Sequence, residues 1–124
     1  MTKLPTEHEM CESIAQYLRL KSMLRDLFFH VPNGGRRRIT EAVRFKKIGV
    51  RAGVPDYFIP LNTCKCKCSC GGNPGLFLEI KRGKRGVLSP EQLDYMERLT
   101  NQGYAAEVAR SVEDAIEIVE KYIK

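Results

Sequence analysis

Hydrophobic and polar positions along the chain predict eight elements. Met10, Ile14, Tyr17, Leu18 and Leu24 recur at helical spacing behind Thr6, and Glu9, three residues beyond Thr6, completes a capping-box signature. Leu27-Phe28-Phe29-His30-Val31 is dense in aromatic and β-branched residues and stops at Pro32-Asn33-Gly34-Gly35, which predicts a short strand. Arg36 to Ile48 shows no alternation and predicts a basic helix ending at Gly49. Tyr57-Phe58-Ile59 and Leu76-Phe77-Leu78-Glu79-Ile80 predict two strands of one hairpin with a long loop between them. Ser89-Pro90-Glu91-Gln92 is a helix start, with a cap, a proline at the first helical position and a glutamine at the third. Leu93, Met96 and Leu99 are expected to form the buried stripe of that helix, and Gly103 to end it. Tyr104 to Ala109 predicts a strand, and Ser111 caps a last helix expected to turn Val112, Ala115, Ile116, Val119 and Ile123 inward. The expected order is α-β-α-β-β-α-β-α. It makes an α/β fold, a mixed β-sheet flanked by helices, in a single domain over residues 1–124.

Composition narrows the class. The chain has 124 residues, 43% of them apolar, with five Phe, five Tyr and no Trp, enough for one core and too few for two domains. No apolar run reaches the length of a membrane span, and the N-terminal residues lack the apolar stretch of a signal peptide. The expectation is a soluble, cytoplasmic protein with no membrane partner. The net charge of +6 permits nucleic-acid binding without requiring it. The charge is clustered: Arg36, Arg37, Arg38, Arg44, Lys46, Lys47 and Arg51 precede one predicted strand, and Lys81, Arg82, Lys84 and Arg85 follow the next. A phosphate backbone lying between the two clusters would meet both.

Four of the five cysteines, Cys64, Cys66, Cys68 and Cys70, fall in a loop insertion at about 62–75. Alternating cysteines are poorly placed to bridge one another. They form a candidate structural Zn2+ site, although the spacing is tighter than that of the usual zinc pairs. The plainer reading is a loop of reduced thiols.

The candidate chemistry lies at the hairpin. Asp56 opens one strand. Glu79 and Lys81 stand two apart at the end of the other, so their side chains leave from the same face. Two carboxylates on paired strands with a lysine beside them make a site for a hard divalent cation.

In order, Thr6-Glu7-His8-Glu9, His30-Val31-Pro32-Asn33-Gly34-Gly35-Arg36-Arg37, Lys47 to Asp56 with Gly53-Val54-Pro55-Asp56, Phe77 to Lys81, and Gly86 to Gln92 resemble the virus-type replication-repair nuclease (VRR-NUC) family of the PD-(D/E)xK superfamily. The resemblance runs over nearly the whole chain and departs only at the cysteine segment. It implies a restriction-endonuclease-like core and a metal-dependent endodeoxyribonuclease. Asp56, Glu79, the Ile80 backbone carbonyl and Glu7 would hold Mg2+ or Mn2+, with Glu9 and Glu12 as alternatives to Glu7. Lys81 would act on the attacking water or the transition state, and Gln92 would touch that water or Lys81. His30, Asn33, Arg36, Arg37, Arg38, Arg44, Lys47, Arg51, Arg82 and Lys84 are the expected DNA contacts. The implied substrate is branched DNA such as a four-way (Holliday) junction, cut by a homodimer in a bacterial or phage-infected cell.

Plainer readings stand beside these. Asp56 suits a turn, Gln92 a capping box, Glu7 a helix dipole, and His30 a structural histidine. Two other functions fit the same residues: an inactive DNA-binding module, and a zinc-stapled protein-interaction domain.

Overall fold

The structure is a computed structural model, and it describes residues 3–32, 39–62 and 74–123. The elements are α1 (Glu7–Leu20), β1 (Phe29–His30), α2 (Ile39–Lys47), β2 (Tyr57–Ile59), β3 (Leu76–Ile80), α3 (Pro90–Asn101), β4 (Ala105–Ala109) and α4 (Val112–Ile123). The order is the one the hydrophobic pattern predicts. One four-stranded sheet runs β1-β2-β3-β4. The first two pairings are antiparallel, while β3 and β4 are parallel and need the α3 crossover to join them.

Pleating divides the sheet into two faces. Leu76, Leu78 and Ile80 point one way and are at most 1% exposed. Their cross-strand neighbours Tyr57, Ile59, Ala105 and Ala109 share that face. α1 covers it with Met10, Ile14 and Leu18, and α4 with Ala115 and Val119, all buried. Phe77 and Glu79 point the other way, with Phe58 opposite Phe77. Phe29, Phe58, Phe77 and Tyr104 form a chain of ring contacts, with Phe58 and Phe77 stacked at 4.6 Å.

All three predicted N-caps form, Ser111 Oγ accepting the Asp114 N–H at 3.0 Å at the start of α4. Thr6 and Glu9 close one capping box, and Ser89 and Gln92 the other. Several packing expectations are corrected. α1 ends at Leu20 because Lys21 is extended, so the buried Leu24 sits in the following turn and not in the helix. β1 has two residues and α2 buries none. α3 also buries none: Leu93 is 54% exposed, and Met96 and Leu99 are half-buried. That helix leans on β4, and its stripe stays partly open to solvent. On α4, Ile118 packs against the core, and Ile116 is half-buried.

Candidate active site

The β2–β3 register sets Asp56 beside Glu79. Tyr57 pairs with Leu78 and Phe58 with Phe77, so the next residue on each strand meets the other. Asp56 Oδ2 accepts the Ile80 N–H at 2.7 Å, a charge-assisted bond that fixes the carboxylate on the strand end. Glu79 is 4% exposed. Its Oε1 accepts Gln92 Nε2–H at 2.9 Å and lies 3.9 Å from Lys81 Nζ. Burial pushes the Glu79 carboxyl up from its ordinary 4.5 to about 8, the Asp56 charge adds to the rise and Glu7 contributes, while Lys81 opposes it. A buried carboxylate in that field binds either a proton or a cation.

Gln92 serves two elements at once. Its Oε1 accepts the Ser89 N–H at 2.8 Å and closes the capping box, while its amide nitrogen holds Glu79. The helix-start reading is met, while the amide nitrogen goes to Glu79 rather than to Lys81, one of its two expected partners. Gly53 brings the preceding loop onto the same helix start. Its φ is +88°, and a Cβ there would stand 2.6 Å from the Glu91 carbonyl oxygen, so no larger residue fits this approach. Lys81 has its own support. The following loop folds back until a Cβ on Gly86 would meet Lys81 Cβ at 2.9 Å. Arg110, at the end of β4, donates to the Gly83 and Gly86 carbonyls at 3.1 and 2.6 Å and clamps that loop.

These groups open on a cleft of about 1040 Å³, and Glu7, Asp56, Glu79, Lys81 and Gln92 all line it. Of the three glutamates of α1's first turns, Glu7 faces the cleft. Glu9 accepts the Thr6 N–H in its capping box, which holds its carboxyl below the usual range, and Glu12 pairs with His8 at the surface. Lys46 and Arg51 also line the cleft and add positive charge to it. Arg51 also lies over the Tyr95 ring at 5.1 Å.

Among the described residues, no three His, Cys, Asp or Glu side chains form a closed cation cage. The donors are instead two carboxylates in each other's field, beside the Ile80 peptide and open to the cleft. That set fits Mg2+ or Mn2+, since magnesium keeps several waters and takes one or two protein carboxylates. It does not fit a soft-metal site.

The VRR-NUC domain family matches residues 2–113 of the sequence. The chain belongs to the VRR-NUC family. A solved structure described as a VRR_NUC domain protein superposes with a TM-score of 0.81 at 28% identity, over 98% of this chain and 91% of that one. No curated protein matches. The VRR-NUC assignment makes this a nuclease-type domain, and no helix among the described residues is long and apolar enough to cross a membrane.

Within the VRR-NUC frame the remaining expected residues scatter. His30 stands on the edge strand beside Tyr57, at 5.1 Å between rings, on the face away from Glu79. Arg44 and Lys47 close the last turn of α2, and Lys84 belongs to the loop clamped by Arg110. Arg82 turns back onto the N-terminal segment and donates to the Leu4 and Pro5 carbonyls. Asn33, Arg36, Arg37, Arg38 and the four cysteines of the insertion lie outside the described residues. Arg110 has no signal in the sequence, and Gly53 appears there only as part of the Gly53-Val54-Pro55-Asp56 motif, without its packing role. The arginine's partners lie 24 and 27 residues away, so no local pattern marks it. A glycine before Val54-Pro55-Asp56 was the one available sign of the close approach to α3.

Proposed function

We propose that this chain is a divalent-metal-dependent endodeoxyribonuclease that hydrolyses phosphodiester bonds in branched DNA, four-way junctions included. The observation that carries the reading is the buried Glu79, flanked by Asp56 and held by Gln92, with Lys81 3.9 Å away on the same cleft wall. Asp56, Glu79 and the Ile80 carbonyl would hold Mg2+ or Mn2+, with Glu7 reaching in from α1. The bound cation supplies an acidified water and charge neutralisation at the scissile phosphate. Lys81, held beside Glu79, orients the attacking water and stabilises negative charge developing on the phosphate oxygens. Gln92 fixes the Glu79 carboxylate at the cleft wall through Oε1. Lys46 and Arg51 draw the phosphate backbone across the opening without reading bases. Two symmetric cuts resolve a junction, so the reading includes a homodimer.

Cleavage of an end-labelled four-way junction, run beside linear duplex and a flap, tests this. Paired cuts that need Mg2+ or Mn2+ and vanish in Asp56→Ala are expected. Cutting of flaps or linear duplex in place of junctions would remove the substrate assignment and keep the chemistry. Tight binding without any cleavage in either metal would refute the enzyme.

A further inference from the structure

We propose that Arg82 is a positioning residue that fixes the start of α1, and with it Glu7, against the strand bearing Glu79 and Lys81. The inference rests on the nuclease reading for what Glu7 does, and on geometry alone for how Glu7 is held. Arg82 Nε donates to the Pro5 carbonyl at 3.0 Å and Nη2 to the Leu4 carbonyl at 2.9 Å. These carbonyls immediately precede the Thr6 cap. Leu4 also packs over Gly83, where a Cβ would lie 3.2 Å from its methyl carbon.

The first turn of α1 has little else to hold it to the sheet. The first buried residue of the helix is Met10, and residues 4–9 are all exposed. The Thr6–Glu9 capping box stiffens the turn internally and attaches it to nothing beyond itself. The Tyr57 hydroxyl bond to the Cys11 carbonyl acts a turn later. Among the described residues, the two Arg82 bonds are the hydrogen bonds that join residues 4–9 to the sheet. Arg82 directly follows Lys81, so the link runs from the end of β3 through Leu4, Pro5 and the cap to Glu7 at the cleft wall. Arginine's planar fork can reach two successive carbonyls, and a lysine ammonium is a poor substitute for that geometry. Nε and Nη2 of the guanidinium are thereby taken by the chain, which gives Arg82, itself one of the expected DNA contacts, a different task.

The test is a cycle of Arg82→Ala, Glu7→Gln and the double variant, with Arg82→Gln and Arg82→Lys beside them. The readouts are amide hydrogen exchange at residues 7–11, Mn2+ affinity by electron paramagnetic resonance without DNA, and DNA affinity against salt. Faster exchange confined to residues 7–11 is expected in Arg82→Ala and Arg82→Gln, with little recovery in Arg82→Lys. Arg82→Ala is expected to weaken Mn2+ binding by ~10-fold, in the range seen when a supporting residue of a metal site is removed. The double variant should bind Mn2+ no worse than Glu7→Gln alone. Unchanged exchange at residues 7–11 would overturn the proposal, as would fully additive losses in the cycle. A salt slope for DNA binding lowered by about one, with exchange unchanged, would make Arg82 a phosphate contact instead. If exchange rises but the wild-type protein binds no Mn2+, the tether stands and the nuclease reading falls.

Discussion

Replacing Glu79 with glutamine should make the metal-free protein more stable at neutral and alkaline pH while abolishing cleavage. The folded chain holds this carboxyl at about 8 against an ordinary value of 4.5. A folded-state value above the unfolded one means that folding takes up a proton. The group's contribution is then fully present below pH 4.5 and drains away as pH rises toward 8. At about 1.36 kcal/mol per unit, the loss by pH 8 is on the order of 4 kcal/mol. Glu9 and Glu107, whose carboxyls are held below the usual range, reach their full contribution above 4.5 and add no slope between pH 5.5 and 8. The Gln amide keeps an acceptor for Gln92 and removes the charge beside Asp56. Thermal melts in chelator at pH 5.5 and pH 8 would follow the effect by circular dichroism. Wild-type stability should fall across that interval, and that of Glu79→Gln should stay nearly flat. Even half the loss, about 2 kcal/mol, moves the midpoint by roughly 6–10 °C in a domain of this size. Parallel slopes for the two proteins would refute the argument that burial and Asp56 load this carboxylate. Adding Mn2+ should raise the wild-type midpoint and leave that of Glu79→Gln unmoved.

Three further outcomes follow from contacts already described. Gln92→Ala should lose about 1 kcal/mol with its capping box and lower cleavage by ~10-fold or more through a mispositioned Glu79, measured by denaturant melts and single-turnover kinetics. Gly53→Ala should cost about 1–2 kcal/mol for its left-handed backbone alone and push the start of α3 off the site, so activity should fall in a variant that still melts cooperatively. Leu78→Ala, at a fully buried position on the back of β3, should cost about 2–5 kcal/mol by urea denaturation, with activity failing as the fold does.

The elements were legible because their signals are local. Thr6 with Glu9, and Ser89-Pro90 with Gln92, sit within one helical turn, and both boxes form. The geometry of the candidate site was legible through strand parity, which places Glu79 and Lys81 together, and through one antiparallel register, which brings Asp56 to them. What escaped depends on distant partners. Arg82 reads in sequence as one more cation in a basic run, and only the return of residues 4–5 to the sheet gives it a different task. The Leu93, Met96 and Leu99 stripe has the right spacing, but periodicity does not say whether a second layer exists to bury it. Choosing among Glu7, Glu9 and Glu12 also required the direction in which α1 enters.

The back of β3 is the fold's core, and its front carries the candidate site. Leu76, Leu78 and Ile80 alternate with Phe77, Glu79 and Lys81 along one ribbon. The strand therefore has no low-energy way to loosen by itself: opening it means opening the molecule. The placement of Asp56, Glu79 and Lys81 therefore depends on the same strand that carries the core. On the nuclease reading proposed above, loss of the core and loss of cleavage should coincide in a single transition.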